Sequence, residues 1–367
     1  MKIINKKKEA IEELKRISTR TNSENNNRIN TIVEEILREV KISGDKAVEK
    51  YTKKFDGFDP NPMQVSTDQI KNAWDEIDNS LKRSLEVAHK RIQKFHEKEI
   101  PKSFTIKGEY GDIVQRRWRP VKNAGIYIPG GRAAYPSTVL MNAIPAKVAG
   151  VEEIIMVSPG NKKGEINKTV LAAAHLSGIN KVFRIGGAQA IGALAFGTNQ
   201  INKVDVISGP GNIYVTTAKK LIYGSTGIDS LAGPSEILII ADETAQSTHI
   251  ASDLLAQAEH DPLASSILLT TSKNQAKEVF EELYKKIDDH PRKEICMQSI
   301  KNWGSIVICE NYESCVELSN NFAPEHLEIL TIDSKKILAG IENAGAIFLG
   351  KWTPEAVGDY LAGPNHT

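Results

Sequence analysis

Cysteine is scarce in this sequence: only Cys296, Cys309 and Cys315 occur among 367 residues, and none belongs to a C-x-x-C pair. Such an odd, sparse set is not typical of a disulfide framework. No run of about 18 apolar residues occurs either, so no membrane-spanning helix is predicted. The N-terminus is basic but lacks the apolar segment of a signal peptide. We therefore expect a cytoplasmic protein with free thiols and no membrane partner.

An excess of charge of one sign is also missing. Lysine and arginine number 47 against 46 aspartate and glutamate residues, which leaves a net charge of +1. Nucleic-acid binding usually requires a strongly basic surface, so no nucleic-acid partner is predicted. The dinucleotide motif G-x-G-x-x-G and the P-loop motif are absent as well, so no motif names a cofactor. The contents of 40% hydrophobic and 25% charged residues are those of a globular protein with room for two domains.

The first hundred residues are polar and have helical periodicity, with one amphipathic pattern that includes Ile29, Val33 and Leu37 and a second over 67–97. From about residue 123, short β-branched runs alternate with helical segments. The predicted strands are 124–128, 153–157, 181–185, 204–207, 236–240, 266–270, 305–309, 327–330 and 346–349. The predicted helices include 138–148, 188–196, 213–223, 247–258 and 274–287. This alternation predicts parallel βαβ units with helices on both faces, and ligands at the carboxyl ends of the strands.

Four glycine-rich loops lie within about 110 residues of this region, at 129–131, 186–189, 209–212 and 233–236. Glycine allows the backbone to approach a ligand closely, and a helix that starts after such a loop directs free N–H groups at an anion. A single loop of this kind is usually an ordinary turn. The four together favour a ligand that carries phosphate.

Two clusters of polar residues could perform chemistry. Gln257 and His260 are three residues apart, share a helix face and precede Pro262, so they could hold a divalent metal or simply end a solvated helix. Glu325 and His326 pair a carboxylate with an imidazole, which suits general-base catalysis or an ordinary turn before a strand. Adjacent residues of a strand point to opposite faces, so both reach one site only where the backbone is irregular.

A third cluster ends the chain. Asp359 and His366 are common types of metal ligand, although a terminal segment without function has the same composition.

Together these segments resemble histidinol dehydrogenases. The resemblance rests on seven motifs in order, which are GIYIPGG (125–131), GGAQA (186–190), GPGN (209–212), AGPSE (232–236), QAEHD (257–261), APEHL (323–327) and GPNH (363–366). It implies a zinc- and NAD-dependent enzyme that oxidises L-histidinol to L-histidine through histidinal with two NAD, in histidine biosynthesis. It also implies a homodimer.

The resemblance also implies roles for individual residues. The expected NAD contacts are Tyr127, Gln189 and Asn212. The expected zinc ligands are Gln257, His260 and Asp359, which also contact the substrate. Further expected substrate contacts are Ser235, His326 and His366. Glu325 is expected to activate water in the second oxidation, and His326 to exchange the proton of the alcohol.

The expected fold is α/β, with two Rossmann-like parallel-sheet domains and a helical N-terminal segment over 1–20. We expect the first Rossmann-like domain, which carries the zinc and catalytic residues, to comprise 21–124 with 236–367. The second, NAD-binding domain is expected over 125–235.

Histidinol dehydrogenases continue beyond the last motif for some tens of residues. That tail resembles the source of another zinc-ligating histidine and of a glutamate that contacts substrate in the neighbouring subunit. The sequence given stops at Thr367. We therefore expect it to bind zinc and substrate less tightly and to form a weaker dimer.

Three other functions stay open. Relatives with this scaffold oxidise other small alcohols, including sulfonated diols. A chain without the last zinc ligand could also bind NAD or a partner subunit without turnover. An aldehyde dehydrogenase that uses a thiol is the least favoured, because no cysteine has a histidine beside it in the sequence to act as its base.

Overall fold

The computed structural model describes residues 1–20, 26–130, 135–231 and 233–365, with Asn26 described in its backbone only. Contacts divide the chain into two units. The first unit comprises Met1–Glu24 and Gly233–Gly358. The second comprises Asn25–Ala232 and Asp359–Thr367. No helix among the described residues is long and apolar enough to cross a membrane.

Strands and helices alternate along most of the chain. The strands are β1 (Lys2–Ile4), β2 (Phe104–Lys107), β3 (Ile113–Arg116), β4 (Asn123–Tyr127), β5 (Glu153–Val157), β6 (Lys181–Phe183), β7 (Val206–Ser208), β8 (Gly227–Ile228), β9 (Glu236–Ala241), β10 (Ser265–Thr270), β11 (Gly304–Ile308), β12 (His326–Leu330) and β13 (Ala346–Leu349). The helices are α1 (Lys7–Ser18), α2 (Asn26–Ser43), α3 (Asp45–Phe55), α4 (Thr67–Glu76), α5 (Asn79–His96), α6 (Pro136–Ala149), α7 (Lys168–Leu176), α8 (Gly187–Phe196), α9 (Ile213–Ile222), α10 (Ser247–Ala258), α11 (Lys273–Asp288), α12 (Lys293–Trp303), α13 (Tyr312–Phe322), α14 (Ser334–Leu338) and α15 (Glu355–Val357), followed by a π-helical turn (Gly358–Ala362).

The first unit is built on a six-stranded parallel sheet of order β1-β11-β10-β9-β12-β13. Successive residues of its central strand face opposite sides. Ile237 and Ile239 pack under α10, α11 and α12, whereas Leu238 and Ile240 pack under α1, α13 and α14. Both faces are therefore covered, which explains why β9 is an almost continuous hydrophobic run.

The second unit is built on a five-stranded parallel sheet of order β6-β5-β4-β7-β8. Ile126 and Met156 face α4–α7, whereas Tyr127 and Val157 face α2, α3, α8 and α9. The strand order reverses beside β4, with β5 and β6 on one side and β7 and β8 on the other. Sheets of this kind bind ligands at the carboxyl ends of the strands beside such a reversal. The predicted fold class, with two Rossmann-like parallel sheets, is confirmed.

Each of the nine predicted strands overlaps an observed strand, and the five predicted helices are present. The helical pattern over 67–97 forms two helices, because Ile77 is extended and the side chain of Asp78 caps α5 by accepting a hydrogen bond from the Leu81 N–H. The short strands β1 and β8 and the antiparallel hairpin β2–β3 lie outside the predicted set.

Residues 26–124 pack in the second unit, whereas the predicted domain boundaries placed 21–124 in the first. The reason is hydrophobic: α2 and α3 cover one face of the second sheet, and α4 and α5 cover the other. The amphipathic patterns of these helices show that each needs a core to cover. They carry no information about which sheet supplies it.

Candidate active site

A cleft of about 810 Å³ opens in the second unit where β4 and β5 end and where α8 and α9 begin. The three predicted NAD contacts, Tyr127, Gln189 and Asn212, all line it. Three of the four glycine-rich loops contribute residues to this cleft, among them Gly130, Gly187 and Asn212. The structure thus brings together three residues that are up to 85 positions apart in sequence.

Tyr127 is the last residue of β4, and its hydroxyl oxygen accepts a hydrogen bond of 3.1 Å from the Gly187 N–H. Burial raises the pKa of Tyr127 to about 12. The phenol is therefore neutral at physiological pH. Because its oxygen accepts from the backbone, its own hydrogen remains available to donate to a ligand.

Gln189 lies in the first turn of α8 and is 1% exposed. Neither atom of its side-chain amide has a hydrogen-bond partner among the described residues. Leaving a buried polar group unpaired costs about 1–3 kcal/mol. A buried amide in the wall of a cleft is therefore a feature that a polar ligand or water would satisfy.

Asn212 caps α9, and its side-chain oxygen accepts hydrogen bonds from the Tyr214 and Val215 N–H groups. The loop before it depends on Gly209, which has a φ of +112°. A Cβ atom there would lie 2.1 Å from the carbonyl oxygen of Tyr127. Only glycine fits at this position, because β4 and β7 approach each other closely.

A buried ion pair holds the same loop. Lys219, whose side chain is 4% exposed, pairs with Asp229 and donates a hydrogen bond of 3.0 Å to the Gly209 carbonyl. Asp229 in turn accepts a hydrogen bond of 2.7 Å from the Gly209 N–H. Both backbone groups of Gly209 are thus fixed. Lys219 and Asp229 lie outside the motifs, and only the tertiary structure reveals that they position this loop.

In the first unit the predicted site residues lie at the amino ends of the strands of its sheet. Ser235 directly precedes β9, and Glu325 directly precedes β12, of which His326 is the first residue. His260 lies in the loop that leads into β10. The expectation that ligands bind at carboxyl ends therefore does not hold for these residues, because helices end and strands begin in their loops.

Glu325 and His326 are close together. The nearest Glu325 carboxylate oxygen lies 3.9 Å from Nδ1 of His326, and the same oxygen accepts a hydrogen bond of 3.1 Å from the Glu236 N–H. Because Glu325 lies just outside the strand, the alternation that would send the two side chains to opposite faces does not apply. Burial raises the pKa of Glu325, although His326 and the Glu236 N–H both lower it.

A second carboxylate contacts His326: Oε1 of Glu355 lies 3.0 Å from Nδ1. Both side chains are 8% exposed. The Glu355 N–H donates a hydrogen bond of 2.7 Å to Glu328, which is fully buried. Burial and the nearby Asp253 carboxylate raise the pKa of Glu328 well above its usual value. No motif includes these acids, so sequence analysis missed them.

Gln257 lies in the last turn of α10 and is 1% exposed. Its side-chain oxygen has no hydrogen-bond partner among the described residues. His260 follows in the turn after the helix and is exposed. Its backbone N–H donates a hydrogen bond of 3.2 Å to the Gln257 carbonyl. The C-terminal end of a helix carries partial negative charge, which favours a cation.

The remaining predicted site residues are placed as follows. Ser235 is partly buried, and its carbonyl accepts a hydrogen bond of 3.1 Å from the Ser265 N–H. Asp359 belongs to the second unit, in the π-helical turn, whereas Gln257 and His260 belong to the first. His366 lies outside the described residues. All three cysteines are buried and free.

The sequence profile of histidinol dehydrogenase matches residues 19–367. A curated histidinol dehydrogenase of Prochlorococcus marinus (strain MIT 9312) is 90% identical over the whole chain, which spans 83% of that relative. One from Thermosynechococcus vestitus is 52% identical over 97% of this chain and 83% of its own length. The crystal structure of histidinol dehydrogenase from Elizabethkingia anophelis is 40% identical, with a TM-score of 0.88 over 92% of this chain and 78% of that one.

These matches confirm the resemblance of the seven motifs and, with it, the prediction of a dehydrogenase. By its sequence, its fold and the placement of its motifs, the chain belongs to the histidinol dehydrogenase family.

Proposed function

We propose that this chain oxidises L-histidinol to L-histidine through histidinal, with two NAD as hydride acceptors and zinc as the bound metal. The observation that carries the proposal is the pair formed by Glu325 and His326 in a chain of this family. A hydride can leave a carbinol carbon only as the hydroxyl proton departs, so a base must contact that oxygen.

NAD is the proposed occupant of the cleft in the second unit. A volume of about 810 Å³ lies within the roughly 300–1,000 Å³ of typical ligand pockets. The unpaired amide of Gln189 offers a donor and an acceptor, the Tyr127 hydroxyl offers a donor, and Asn212 lies at a helix N-terminus suited to phosphate. When bound, NAD accepts the hydride.

The residues that would hold zinc are Gln257, His260 and Asp359. The unpaired, buried oxygen of Gln257 at the C-terminal end of α10 fits a cation, and imidazole and carboxylate are ordinary zinc ligands. Bound zinc would orient the imidazole and amino nitrogens of the substrate.

The two reacting side chains have separate proposed tasks. His326 accepts the proton of the substrate hydroxyl as hydride leaves, and the neighbouring Glu355 carboxylate, at 3.0 Å, stabilises the resulting imidazolium. Glu325 activates the water that attacks the aldehyde in the second oxidation. The substrate contacts proposed beside them are Ser235, His326 and His366, together with the three zinc ligands.

We also propose that the chain forms a homodimer. The hairpin β2–β3 exposes the large apolar residues Phe104, Ile106, Ile113 and Val114, each at least half exposed. A two-stranded hairpin alone is marginally stable in water. An apolar hairpin is therefore well suited to packing against a second copy. The cytoplasmic location stays a prediction.

The proposed function is tested with purified chain, zinc, NAD and L-histidinol. NADH is followed by its absorbance at 340 nm. We expect two molecules of NADH for each molecule of histidine formed. The His326→Asn variant should lose about 10²–10⁴-fold in kcat. Glu325→Gln should form histidinal and one NADH but make little histidine. Glu281→Gln, an exposed acid on α11, is the matched control and should leave both steps unchanged.

Three results would contradict the proposal. Absence of NADH above background with zinc present favours a chain that binds without turnover. Turnover of a sulfonated diol but not of histidinol favours the related alcohol dehydrogenase. Activity that depends on the three buried cysteines favours thiol chemistry; we expect the triple Cys→Ser variant to retain its rate wherever it folds.

A further inference from the structure

Arg20 lies two residues after α1, and its side chain is 1% exposed. The guanidinium nevertheless makes four hydrogen bonds, of which the one to Glu236 is also an ion pair. It donates to the carbonyl oxygens of Leu263 at 2.7 Å, Ile17 at 2.8 Å and Pro234 at 3.0 Å, and to the Glu236 carboxylate at 2.7 Å. The site described above makes no use of this arginine.

Two of its carbonyl partners, Pro234 and Leu263, lie on separate loops. Pro234 precedes Ser235 in the loop that enters β9, and Glu236, which follows Ser235, is the first residue of that strand. Leu263 belongs to the loop that leaves α10 and enters β10, three residues after His260. One buried guanidinium thus bridges a loop that holds a proposed substrate contact and a loop that holds a proposed zinc ligand.

A short path also leads from Arg20 to the proposed base. The guanidinium holds the side chain of Glu236, and the N–H of the same residue donates to the carboxylate of Glu325 at 3.1 Å. The pairing of β9 with β12 keeps Ile237 opposite His326. Any displacement of Glu236 therefore changes the hydrogen bonding of Glu325.

Arginine is the side chain that suits this position. Its planar fork presents five N–H groups in fixed directions, so it can bond several carbonyls and a carboxylate at once. A lysine ammonium is a single point of charge and cannot reach both loops in the same geometry. The position therefore requires the fork geometry of a guanidinium and not only its positive charge.

We propose that Arg20 is a positioning residue that sets the placement of the β9 entry loop relative to the α10–β10 loop, and thereby of Ser235, Glu325 and His260. The inference rests on the proposed function, which assigns these three residues their roles. A positioning role, unlike a purely stabilising one, predicts that replacement of Arg20 changes the conformation of the two loops rather than the stability of the whole fold.

Arg16, in the last turn of α1, provides a matched control. It pairs with Glu13 at 2.9 Å and donates to the carbonyl of Asn302, which lies near the end of α12. Neither contact involves a loop that carries a proposed site residue. Arg16→Met should therefore change stability without changing catalysis.

The test compares wild type with Arg20→Lys, the double variant Arg20→Met/Glu236→Gln, and Arg16→Met. The double variant removes both charges, so it leaves no unpaired buried charge and can fold where a single truncation fails. Amide hydrogen exchange is measured by mass spectrometry over 233–236 and 259–264. We expect both loops to exchange at least about tenfold faster in the two Arg20 variants and to match wild type in Arg16→Met.

Steady-state kinetics supply a second readout. Misplacement of a reacting group by about 1 Å can reduce the rate about 10²-fold. We expect Arg20→Lys to lower kcat for histidinol by about 10–10²-fold, with KM for NAD within twofold of wild type, and Arg16→Met to retain kcat.

Unchanged exchange in both loops, or equal losses in the Arg20 and Arg16 variants, would overturn the positioning role. A wild-type chain without histidinol turnover would instead refute the proposed function, while the exchange pattern would still decide whether Arg20 couples the loops.

Discussion

Replacing Gly209 by alanine tests whether the close approach of β7 to β4 is essential to the second unit. Gly209 has a φ of +112°, and an added Cβ would lie 2.1 Å from the Tyr127 carbonyl oxygen and 3.0 Å from its carbon. These atoms belong to a central strand, and both backbone groups of Gly209 are held by Lys219 and Asp229. Neither side of the contact can therefore move without breaking hydrogen bonds.

The magnitude follows from two contributions. The backbone conformation costs about 1–3 kcal/mol for a residue with a Cβ, and an overpacked contact adds about 1–3 kcal/mol. Gly209→Ala should therefore lower the free energy of unfolding by about 2–6 kcal/mol. A loss of 1 kcal/mol shifts Tm by about 2–4 °C in a domain of this size, so a fall of roughly 4–24 °C is expected.

Gly224→Ala is the matched control, because Gly224 has a φ of +97° and no atom within 4 Å of an added Cβ. It isolates the conformational contribution from the steric one. The assay is thermal and urea unfolding followed by circular dichroism, with NAD affinity from titration calorimetry. If Gly209→Ala lost no more stability than Gly224→Ala, the steric argument would be refuted.

Three further predictions concern other residues of the two units. Gln189→Leu should weaken NAD binding about tenfold or more in calorimetry while raising thermal stability, because it removes an unpaired buried amide; unchanged affinity would exclude the amide as a contact. Glu355→Gln should lower kcat about tenfold or more and leave KM for NAD unchanged in steady-state assays, because it removes the charge beside His326; a wild-type kcat would count against that role. Burial raises the pKa of Asp56 from 3.8 to about 6. The folded state thus holds the proton of Asp56 more tightly than the unfolded state does. The free energy of unfolding therefore falls as pH rises from about 4 to 6. Asp56→Asn should therefore be more stable than wild type at pH 7 and lose that advantage at pH 4 in urea unfolding; a gain independent of pH would contradict this.

The strands and most helices could be predicted from the sequence because their signals are local. A run such as Glu236–Ala241 is continuously hydrophobic since both faces of its sheet are covered, and the alternation of such runs with helices is typical of parallel sheets. The motifs were equally local, so their glycines, carboxylates and imidazoles identified the family without coordinates. Helical patterns were also predicted for the first hundred residues, but their stripes of apolar residues fit any core of suitable shape.

What the tertiary structure decided is which distant groups meet. Lys219 and Asp229 pair around Gly209, Glu355 reaches His326, and Arg20 bridges two loops more than 200 residues along the chain from it. Each contact joins residues that are not related by a helix or strand pattern, so the sequence alone does not predict it. Sequence determines which segments become strands and which side chains can react, because these depend on neighbours along the chain. Long-range packing determines which reactive groups share a pocket, because that depends on how separate hydrophobic faces are covered.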